Sequence, residues 1–401
     1  MTRREDVVVV GAGQAGLSLS HELAQRGVEH VVLERGKVGQ TWRGRWDSFC
    51  LVLPNWTLQL PGHTYDGDDP DGYMPRDGIV SYLEGYATIT GRVHEGITVR
   101  SLESSADAAF MLHTDSGDII AHKVALATGA YQRPHRPPAA HTLPPSLHVI
   151  DAESYANPAS LPDGGVLVIG SGQTGGQIAE ELQEAGRETF LACGKAGWIP
   201  RRIGDRDAIA WLTQTPFFEQ PLSALPSPLA RLTGNPQASG RDGGHDMHYR
   251  TLQAIGVQLL GRFIHADEST LHFASDLAES VAFGDARYAE VRNLIDGFCK
   301  GQGIPTPELP DPPSFEANAP ASIDISRIGT VICSSGFRPD YASWVKIPTF
   351  DDLGFPLHHE GASTVAPGLY FVGVHFLRKR KSSLFLGVGE DAALVAQQIA
   401  G

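Results

Sequence analysis

Two glycine-rich segments have the residue types and spacing that bind nucleotide phosphates. Gly11-Ala12-Gly13-Gln14-Ala15-Gly16 follows the valine run 7–10, and Gly170-Ser171-Gly172-Gln173-Thr174-Gly175 follows the apolar run 166–169. In this pattern the first glycine makes a tight turn and the second lets the backbone approach a pyrophosphate. The third lets the following helix pack closely on its strand. Because both copies are complete, the chain is predicted to bind two dinucleotides.

The residue that ends the strand after each loop differs between the two copies. In the first copy Glu34 stands 23 positions after Gly11, where a carboxylate can accept hydrogen bonds from a ribose hydroxyl. The same offset from Gly170 gives Cys193, which is uncharged. Three cations follow it: Lys195, Arg201 and Arg202. Such cations pair with a 2′-phosphate that a carboxylate would repel, so the second site is predicted to prefer NADPH to NADH. The alternative is that they only cover a solvated surface.

Loops of this kind are positioned by parallel sheets that are covered by helices, so the two loops indicate an α/β fold. Each copy is a strand, a glycine loop, a helix and a second strand, the unit of a Rossmann-like domain. Proline-rich segments at 134–145 and 305–320 mark two crossings between the domains. We therefore predict a first dinucleotide-binding domain split in sequence over 1–145 and 321–401. The second domain, with a helical insertion, is predicted over 146–320.

Further elements are predicted from periodicity and composition. They are a helix over 79–87 capped by Asp77, strands over 97–100, 109–114 and 123–127, a mostly helical region over 205–303, and a last helix over 390–399. Strands over 330–336 and 368–373 are expected to complete the first domain.

Composition limits the classes of function. The net charge of −14 over 401 residues argues against nucleic acid as a partner. The four cysteines form no C-x-x-C pair, so neither a redox dithiol nor a zinc site is indicated. His245 and His248 lie three positions apart, but a loop or capping role is favoured over a metal site, and no metal is predicted. No membrane span or signal peptide is indicated, and a cytoplasmic location is expected.

The whole chain resembles the two-dinucleotide flavoproteins, most closely the flavin-containing (class B) monooxygenases and their bacterial relatives. The matching segments are 11–16, Glu34, 39–42, 126–130, 170–175, 333–339 and 368–373. The resemblance implies a glutathione-reductase-like architecture, with FAD at the first loop and NADPH at the second. Besides the first loop, the implied FAD-binding residues are Glu34, Arg35, Gln40, Thr41, Trp42, Ala127, Thr128, Gly129, Gly373, Leu384 and Gly387. Ser335-Gly336 resembles a second copy of Thr128-Gly129.

The resemblance also implies an activity. An NADPH-dependent FAD monooxygenase uses a flavin C4a-hydroperoxide to transfer one oxygen atom to a small organic substrate, at nitrogen, sulfur or aromatic carbon or in a Baeyer-Villiger reaction. Asn55 aligns with a family asparagine that faces the flavin and the nicotinamide, and a structural turn is its alternative role. Lys381, in the basic run 378–381, is a second catalytic candidate beside the flavin, and a solvated loop is its alternative.

One family motif is altered. The fingerprint Phe-x-Gly-x-x-x-His becomes a stretch in which Pro145, Leu147 and Asp151 take the three motif positions. Two alternatives therefore stay open: a flavin reductase, oxidase or dehydrogenase of the same fold without oxygen transfer, and a flavoprotein that only senses redox state or binds a partner. The expected partners are a small-molecule substrate and molecular oxygen, and a homo-oligomer is compatible with the sequence.

Overall fold

The computed structural model describes residues 2–106, 109–129 and 131–401. Its α-helices are α1 Gln14–Gln25, α2 Gln40–Arg43, α3 Arg76–Thr90, α4 Gln173–Glu184, α5 Ala208–Leu212, α6 Tyr249–Ala254, α7 Leu277–Gln302 and α8 Val388–Ala400. Its strands are β1 Arg3–Val10, β2 Val31–Glu34, β3 Gln59–Leu60, β4 His63–Thr64, β5 Val93–Glu95, β6 Val99–Ser104, β7 Phe110–Thr114, β8 Gly117–Leu126, β9 Arg133–Pro134, β10 His148–Asp151, β11 Gly165–Ile169, β12 Thr189–Ala192, β13 Arg202–Ile203, β14 Arg206–Asp207, β15 Gln258–Leu260, β16 Phe263–Ala266, β17 Thr270–Phe273, β18 Ser322–Asp324, β19 Ile328–Cys333, β20 Phe337–Arg338, β21 His358–His359, β22 Ala362–Ser363 and β23 Leu369–Phe371.

The first sheet has β1 at its centre. β1 pairs in parallel with β2 on one side and with β8 on the other, and β23 pairs in parallel with β8. The valines 7–10 are buried because α1, α3 and α8 pack on one face of the sheet and β6, β7 and residues 341–355 pack on the other, which explains their continuous apolar run. α1 packs against α8, and both contribute to one apolar core with Val9, Leu19 and Val395. Residues 358–400, which hold β21 to β23 and α8, thus return to the first sheet.

The second sheet is also parallel, in the order β10-β19-β11-β12-β15. Here the strand predicted over 330–336 was assigned to the wrong sheet. β19 lies between β10 and β11 and does not complete the first domain. Its residues Thr330, Val331 and Ile332 are fully buried, and such an apolar run fits the centre of either parallel sheet, so composition alone could not choose between them.

The region 205–303 is less helical than predicted. Besides α5, α6 and the long α7, it contains β15 of the second sheet and the antiparallel strands β16 and β17, which form a small sheet with β18.

Two predictions about helix caps had different outcomes. Asp77 lies in the first turn of α3, whose N-cap is Pro75, so the predicted cap was wrong. His248 does cap α6: its Nδ1 accepts a hydrogen bond from Thr251 N at 3.3 Å. Within the described residues no helix is long and apolar enough to cross a membrane.

Candidate cofactor and active site

The first glycine loop joins β1 to α1, and its three glycines meet different surroundings. Gly11 has φ +107°, and a Cβ there would lie 2.8 Å from Ala127 O. A Cβ on Gly16 would lie 1.8 Å from Gly11 O, so only glycine lets α1 pack this closely. A Cβ on Gly13 would meet nothing within 4 Å. The protein itself requires the outer two glycines, whereas the middle one leaves open space at the start of α1, as a phosphate cradle requires.

The second loop repeats this geometry between β11 and α4. Gly170 also has φ +107°, and its Cβ would lie 2.5 Å from Ser334 O. A Cβ on Gly175 would lie 1.9 Å from Gly170 O, and one on Gly172 would meet nothing within 4 Å. Ser334 after β19 thus occupies the place that Ala127 has after β8. This equivalence agrees with the prediction that residues 335–336 repeat residues 128–129.

Glu34 closes the first loop. It is 8% exposed, its Oε2 accepts a hydrogen bond from Ala12 N at 2.9 Å, and its Oε1 accepts one from Gly36 N at 2.9 Å. Each carboxylate oxygen can accept a second bond, so these contacts are compatible with a ribose hydroxyl as a further donor.

Neutral hydroxyls close the second loop. Ser171 Oγ accepts a hydrogen bond from Gly194 N at 2.9 Å and lies 2.6 Å from the hydroxyl of Tyr249. Cys193, the counterpart of Glu34, is buried and directs its thiol at Leu191 O. Tyr249 was missed in the sequence because it stands on α6, more than 70 residues after the loop.

The three predicted phosphate-binding cations differ in availability. Lys195 is exposed, and its Nζ lies 5.9 Å from the centre of the Phe283 ring. Arg202 is exposed at the start of β13. Arg201 is 1% exposed, forms an ion pair with Asp207, and donates to Val52 O at 2.7 Å. A guanidinium buried in this way is not available to a 2′-phosphate, so the prediction for Arg201 is not supported. Its position next to an exposed arginine concealed its structural role.

Arg287 adds a cation that sequence reasoning missed. Its guanidinium lies 5.2 Å from the centre of the same Phe283 ring that Lys195 approaches. A Cβ on Gly197 would come within 3.0 Å of Arg287 Cβ, so this arginine of α7 borders the segment that follows Cys193. Because Arg287 is far from the second glycine loop in the sequence, no local pattern indicated its position.

Several residues predicted to bind FAD form one cluster. Trp42 Nε1 donates to Gln14 Oε1 at 3.1 Å, and Gln14 Nε2 donates to Ser383 O at 3.3 Å. The Trp42 ring stacks on Phe385 with a centroid distance of 5.5 Å. These contacts join the glycine loop, α2 and the segment that holds Leu384.

The other predicted FAD-binding residues take their places around this cluster. A Cβ on Gly373 would come 2.3 Å from Ala15 Cβ, and one on Gly387 would come 2.4 Å from Lys381 O, so both glycines permit close packing. Thr128 is exposed, and Gly129 O accepts a hydrogen bond from Tyr341 at 2.6 Å. The side chains of Arg35, Gln40 and Thr41 are exposed after β2. Ala130, the last residue of the matched segment 126–130, lies outside the described residues.

Asn55 is buried in a short turn, with 5% of its surface exposed. Its Nδ2 donates to Asp69 O at 2.9 Å, and its backbone N donates to Gly72 O at 2.8 Å, so it has the structural role that was left open. Its Oδ1 is buried and has no hydrogen-bond partner among the described residues. A buried acceptor without a donor costs about 1–3 kcal/mol, and such an atom is a natural contact for a ligand.

The segment around Asn55 contacts the insertion of the second domain, which is the region 205–303. Val52, Leu53 and Trp56 pack against an apolar cluster that includes Ile209, Phe217 and Phe218. Leu384 and Leu386 pack against the same cluster. The cluster therefore joins both domains beside a predicted catalytic residue and a predicted FAD-binding residue. Two surface cavities, of about 370 and 890 Å³, are lined by other residues, in 250–317 and 133–354 respectively.

Lys381 is held by carboxylates. Its Nζ lies 2.5 Å from Glu219 Oε1 and also pairs with Glu390, while Lys379 pairs with the same two glutamates. Burial opposes ionisation of both acids, but hydrogen bonds from the two ammonium groups lower the pKa of Glu219 and of Glu390. The contacts give Lys381 a structural role between the insertion and α8, and they do not support it as a catalytic residue.

All four cysteines are unpaired and buried. Burial raises the pKa of the Cys50 and Cys333 thiols to about 11 and also raises the pKa of Cys193. Thiols of this kind stay protonated at neutral pH and are poor nucleophiles.

Comparison with known proteins identifies the class. A family model described as pyridine nucleotide-disulphide oxidoreductase matches residues 8–215, and the chain belongs to this family. An uncharacterised oxidoreductase CzcO-like protein of Geobacillus kaustophilus is 32% identical over 98% of both chains. Indole-3-pyruvate monooxygenase YUCCA1 of Oryza sativa is 32% identical over 50% of this chain and 55% of its own.

Solved structures agree on the fold. A flavin-containing monooxygenase from Stenotrophomonas maltophilia has a TM-score of 0.67 at 18% identity, covering 99% of this chain and 98% of that one. The bacillithiol disulfide reductase Bdr from Staphylococcus aureus has a TM-score of 0.65 at 12% identity, with coverage of 99% and 98%. The α/β fold predicted from the sequence and the resemblance to flavin-containing monooxygenases are confirmed. The chain is an oxidoreductase, and the findings support FAD and NADPH as its cofactors.

Proposed function

We propose that this protein is an NADPH-dependent FAD monooxygenase acting on a small organic substrate. The observation that carries the proposal is the pair of glycine loops, in which only Gly13 and Gly172 face open space. One chain thus offers two dinucleotide cradles, the first closed by a carboxylate and the second by hydroxyls. These are the features expected for FAD at the first loop and NADPH at the second.

The residues of the chain have distinct tasks in this proposal. The backbone at Gly13 and the start of α1 hold the FAD pyrophosphate, and Glu34 orients its ribose. Gly172 and α4 hold the NADPH pyrophosphate, and Lys195 pairs with the 2′-phosphate. When bound, FAD supplies the redox chemistry, accepting hydride from NADPH and passing the electrons to molecular oxygen.

Asn55 and the apolar cluster control the surroundings of the reaction. The unpartnered Oδ1 of Asn55 accepts a hydrogen bond from an N–H or O–H of the bound cofactors without changing its own protonation state. Trp56, Leu384 and Phe217 would exclude water on the insertion side, so that the reducing equivalents of NADPH are not lost as hydrogen peroxide before oxygen is transferred. The same apolar lining favours substrates with a substantial apolar part.

The buried thiols argue against a disulfide reductase, because no cysteine is paired or accessible. One observation favours an NADPH-consuming reductase or oxidase as the second candidate. Asp151, at the histidine position of the family fingerprint, is bound by Arg136 through two hydrogen bonds of 2.7 and 2.9 Å. Because Arg136 binds both oxygens of Asp151, this carboxylate is not available for the role that a histidine would have at this position.

Product analysis under ¹⁸O₂ distinguishes the two candidates. The holoenzyme is supplied with NADPH and a panel of organic sulfides, amines, arenes and ketones, and hydrogen peroxide is measured in parallel. The monooxygenase proposal predicts one ¹⁸O atom in the product of at least one substrate and less peroxide than NADPH consumed. Recovery of all reducing equivalents as peroxide with every substrate class would favour the oxidase.

A further inference from the structure

Away from both glycine loops, one hairpin of the small sheet carries two histidines and an aspartate. β16 and β17 are antiparallel, and His265 lies directly opposite His272. The two imidazole rings are stacked, with centroids 4.3 Å apart and an interplanar angle of 11°. Asp267, in the turn between the strands, places Oδ2 2.7 Å from His272 Nε2. One ligand atom from each of the three residues lies within 4.8 Å of the others.

The hairpin is built rigidly enough to keep these groups together. Leu271 and Phe273 alternate with His272 along β17 and are buried in the apolar core of the second domain. β18 covers the other edge of β17, with His272 opposite Ser322. His265 and His272 therefore lie on a three-stranded sheet whose opposite face is buried in the core, and the pairing of β16 with β17 sets the spacing of the two histidines.

The turn also fixes the carboxylate. Asp267 Oδ1 accepts hydrogen bonds from Ser269 N at 3.0 Å and Thr270 N at 2.9 Å, which leaves Oδ2 directed at His272. The Asp267 carboxylate, the imidazole of His272 and the imidazole of His265 thus offer three ligand atoms within 4.8 Å of one another on one rim of the hairpin.

We propose that His265, Asp267 and His272 bind a first-row divalent metal ion of the zinc type. Two imidazoles and one carboxylate are ligands that Zn²⁺ accepts, with bonds of about 2 Å and ligand atoms about 3.3 Å apart in a tetrahedron. His265 is exposed and can turn its ring to meet that spacing. Three protein ligands leave the remaining position to water, so the site is open and exchanges its metal with solution.

No local sequence pattern indicated this site. His265, Asp267 and His272 have none of the short helical or C-x-x-C spacings by which metal motifs are recognised, because the pairing depends on a hairpin in a region predicted to be mostly helical. The site is independent of the cofactor loops and of the proposed reaction.

Zinc titration of the tag-free holoenzyme tests the proposal. Isothermal titration calorimetry with zinc chloride in a non-chelating buffer is carried out on the wild type and on the single variants His265→Ala and His272→Ala. The control is His113→Ala, because His113 forms a similar exposed pair with Asp118, 2.9 Å apart, on the β7–β8 hairpin but without a second histidine. Circular dichroism and FAD content confirm that each variant is folded.

The expected result is one zinc ion per wild-type chain, with affinity at least about tenfold lower in both site variants and unchanged in the control. Replacing zinc with cobalt should give a visible absorption band that both site variants lose. The proposal is overturned if the folded wild type binds no stoichiometric zinc, or if binding is unaffected by His265→Ala and His272→Ala.

Discussion

Ser171 Oγ accepts a hydrogen bond of 2.9 Å from the backbone N–H of Gly194. Compared with the equivalent bond of the first loop, the positions of donor and acceptor are exchanged. There the acceptor is Glu34, at the end of the strand, and the donor is the loop residue Ala12. Ser171 stands in the loop where Ala12 does, so the acceptor has moved from strand to loop. The second loop is therefore held closed by neutral groups, and a 2′-phosphate at the strand end would meet no carboxylate from these positions.

The middle glycines provide a selective test of the two cradles. Gly172→Ala should fold normally, because its Cβ would meet nothing within 4 Å, but should weaken NADPH binding about tenfold by displacing the pyrophosphate. Gly13→Ala should instead lower FAD retention. The measurements are the FAD content after gel filtration and the Kd for NADPH. Gly175→Ala is the contrasting variant, since its Cβ would overlap Gly170 O and disrupt folding. Unchanged NADPH binding in Gly172→Ala would contradict the assignment of the second cradle.

Lys195 and Arg201 are expected to have different roles despite their similar charge. Lys195→Ala should reduce the preference for NADPH over NADH about tenfold, through loss of a charge-assisted contact with the 2′-phosphate. Arg201→Met should leave that preference unchanged but destabilise the fold by about 3–5 kcal/mol, because Asp207 would be left buried and unpaired. Steady-state kcat/KM with both nucleotides and urea denaturation separate the two effects. A shift in nucleotide preference in Arg201→Met alone would show that the roles are exchanged.

Asn55→Ala should lower the rate of flavin reduction by NADPH or the coupling of NADPH oxidation to product by about ten- to a hundredfold, because the cofactors lose the Oδ1 acceptor. Anaerobic reduction kinetics and the ratio of peroxide to NADPH report the two quantities. Thr57→Ala is the matched control, since its hydroxyl bonds to Pro54 O in the same turn. Equal losses in both variants would assign Asn55 a purely structural role.

Asp391 makes stability depend on pH. It is 2% exposed in the first turn of α8, and burial raises the pKa of its carboxyl to about 6, despite Arg378 at 3.5 Å. The unfolded chain ionises this group near pH 4, whereas the folded chain does so near pH 6. The folded state therefore loses up to about 3 kcal/mol of stability as pH rises through this window.

Asp391→Asn should remove that loss. Its stability relative to the wild type should increase between pH 4 and 6 and stay constant above pH 6, as measured by chemical denaturation of the holoenzyme. Glu390→Gln should behave in the opposite sense, because the lowered pKa of Glu390 stabilises the fold above its ordinary pKa and this contribution is lost as pH falls. A pH-independent difference for Asp391→Asn would show that its carboxyl ionises normally.

The parts of the fold that could be predicted are those with local signals. The valine run and glycine spacing define β1, the first loop and α1 within a few residues, and the same holds for β11 to α4. The sheet that contains β19 could not be predicted, because a buried parallel strand carries no mark of its neighbours. Arg201, Tyr249 and Arg287 were misjudged or missed for a related reason: their roles depend on contacts between distant segments, and sequence proximity suggested a different role for Arg201.

Stopped-flow absorbance tests the central claim most directly. The FAD-loaded enzyme is reduced with NADPH under anaerobic conditions and mixed with oxygenated buffer in the presence of NADP⁺. The monooxygenase account predicts a long-lived species absorbing in the near ultraviolet before the oxidised flavin spectrum returns. Direct return of the oxidised spectrum with stoichiometric hydrogen peroxide, with and without the substrates of the panel, would contradict it and leave an NADPH oxidase.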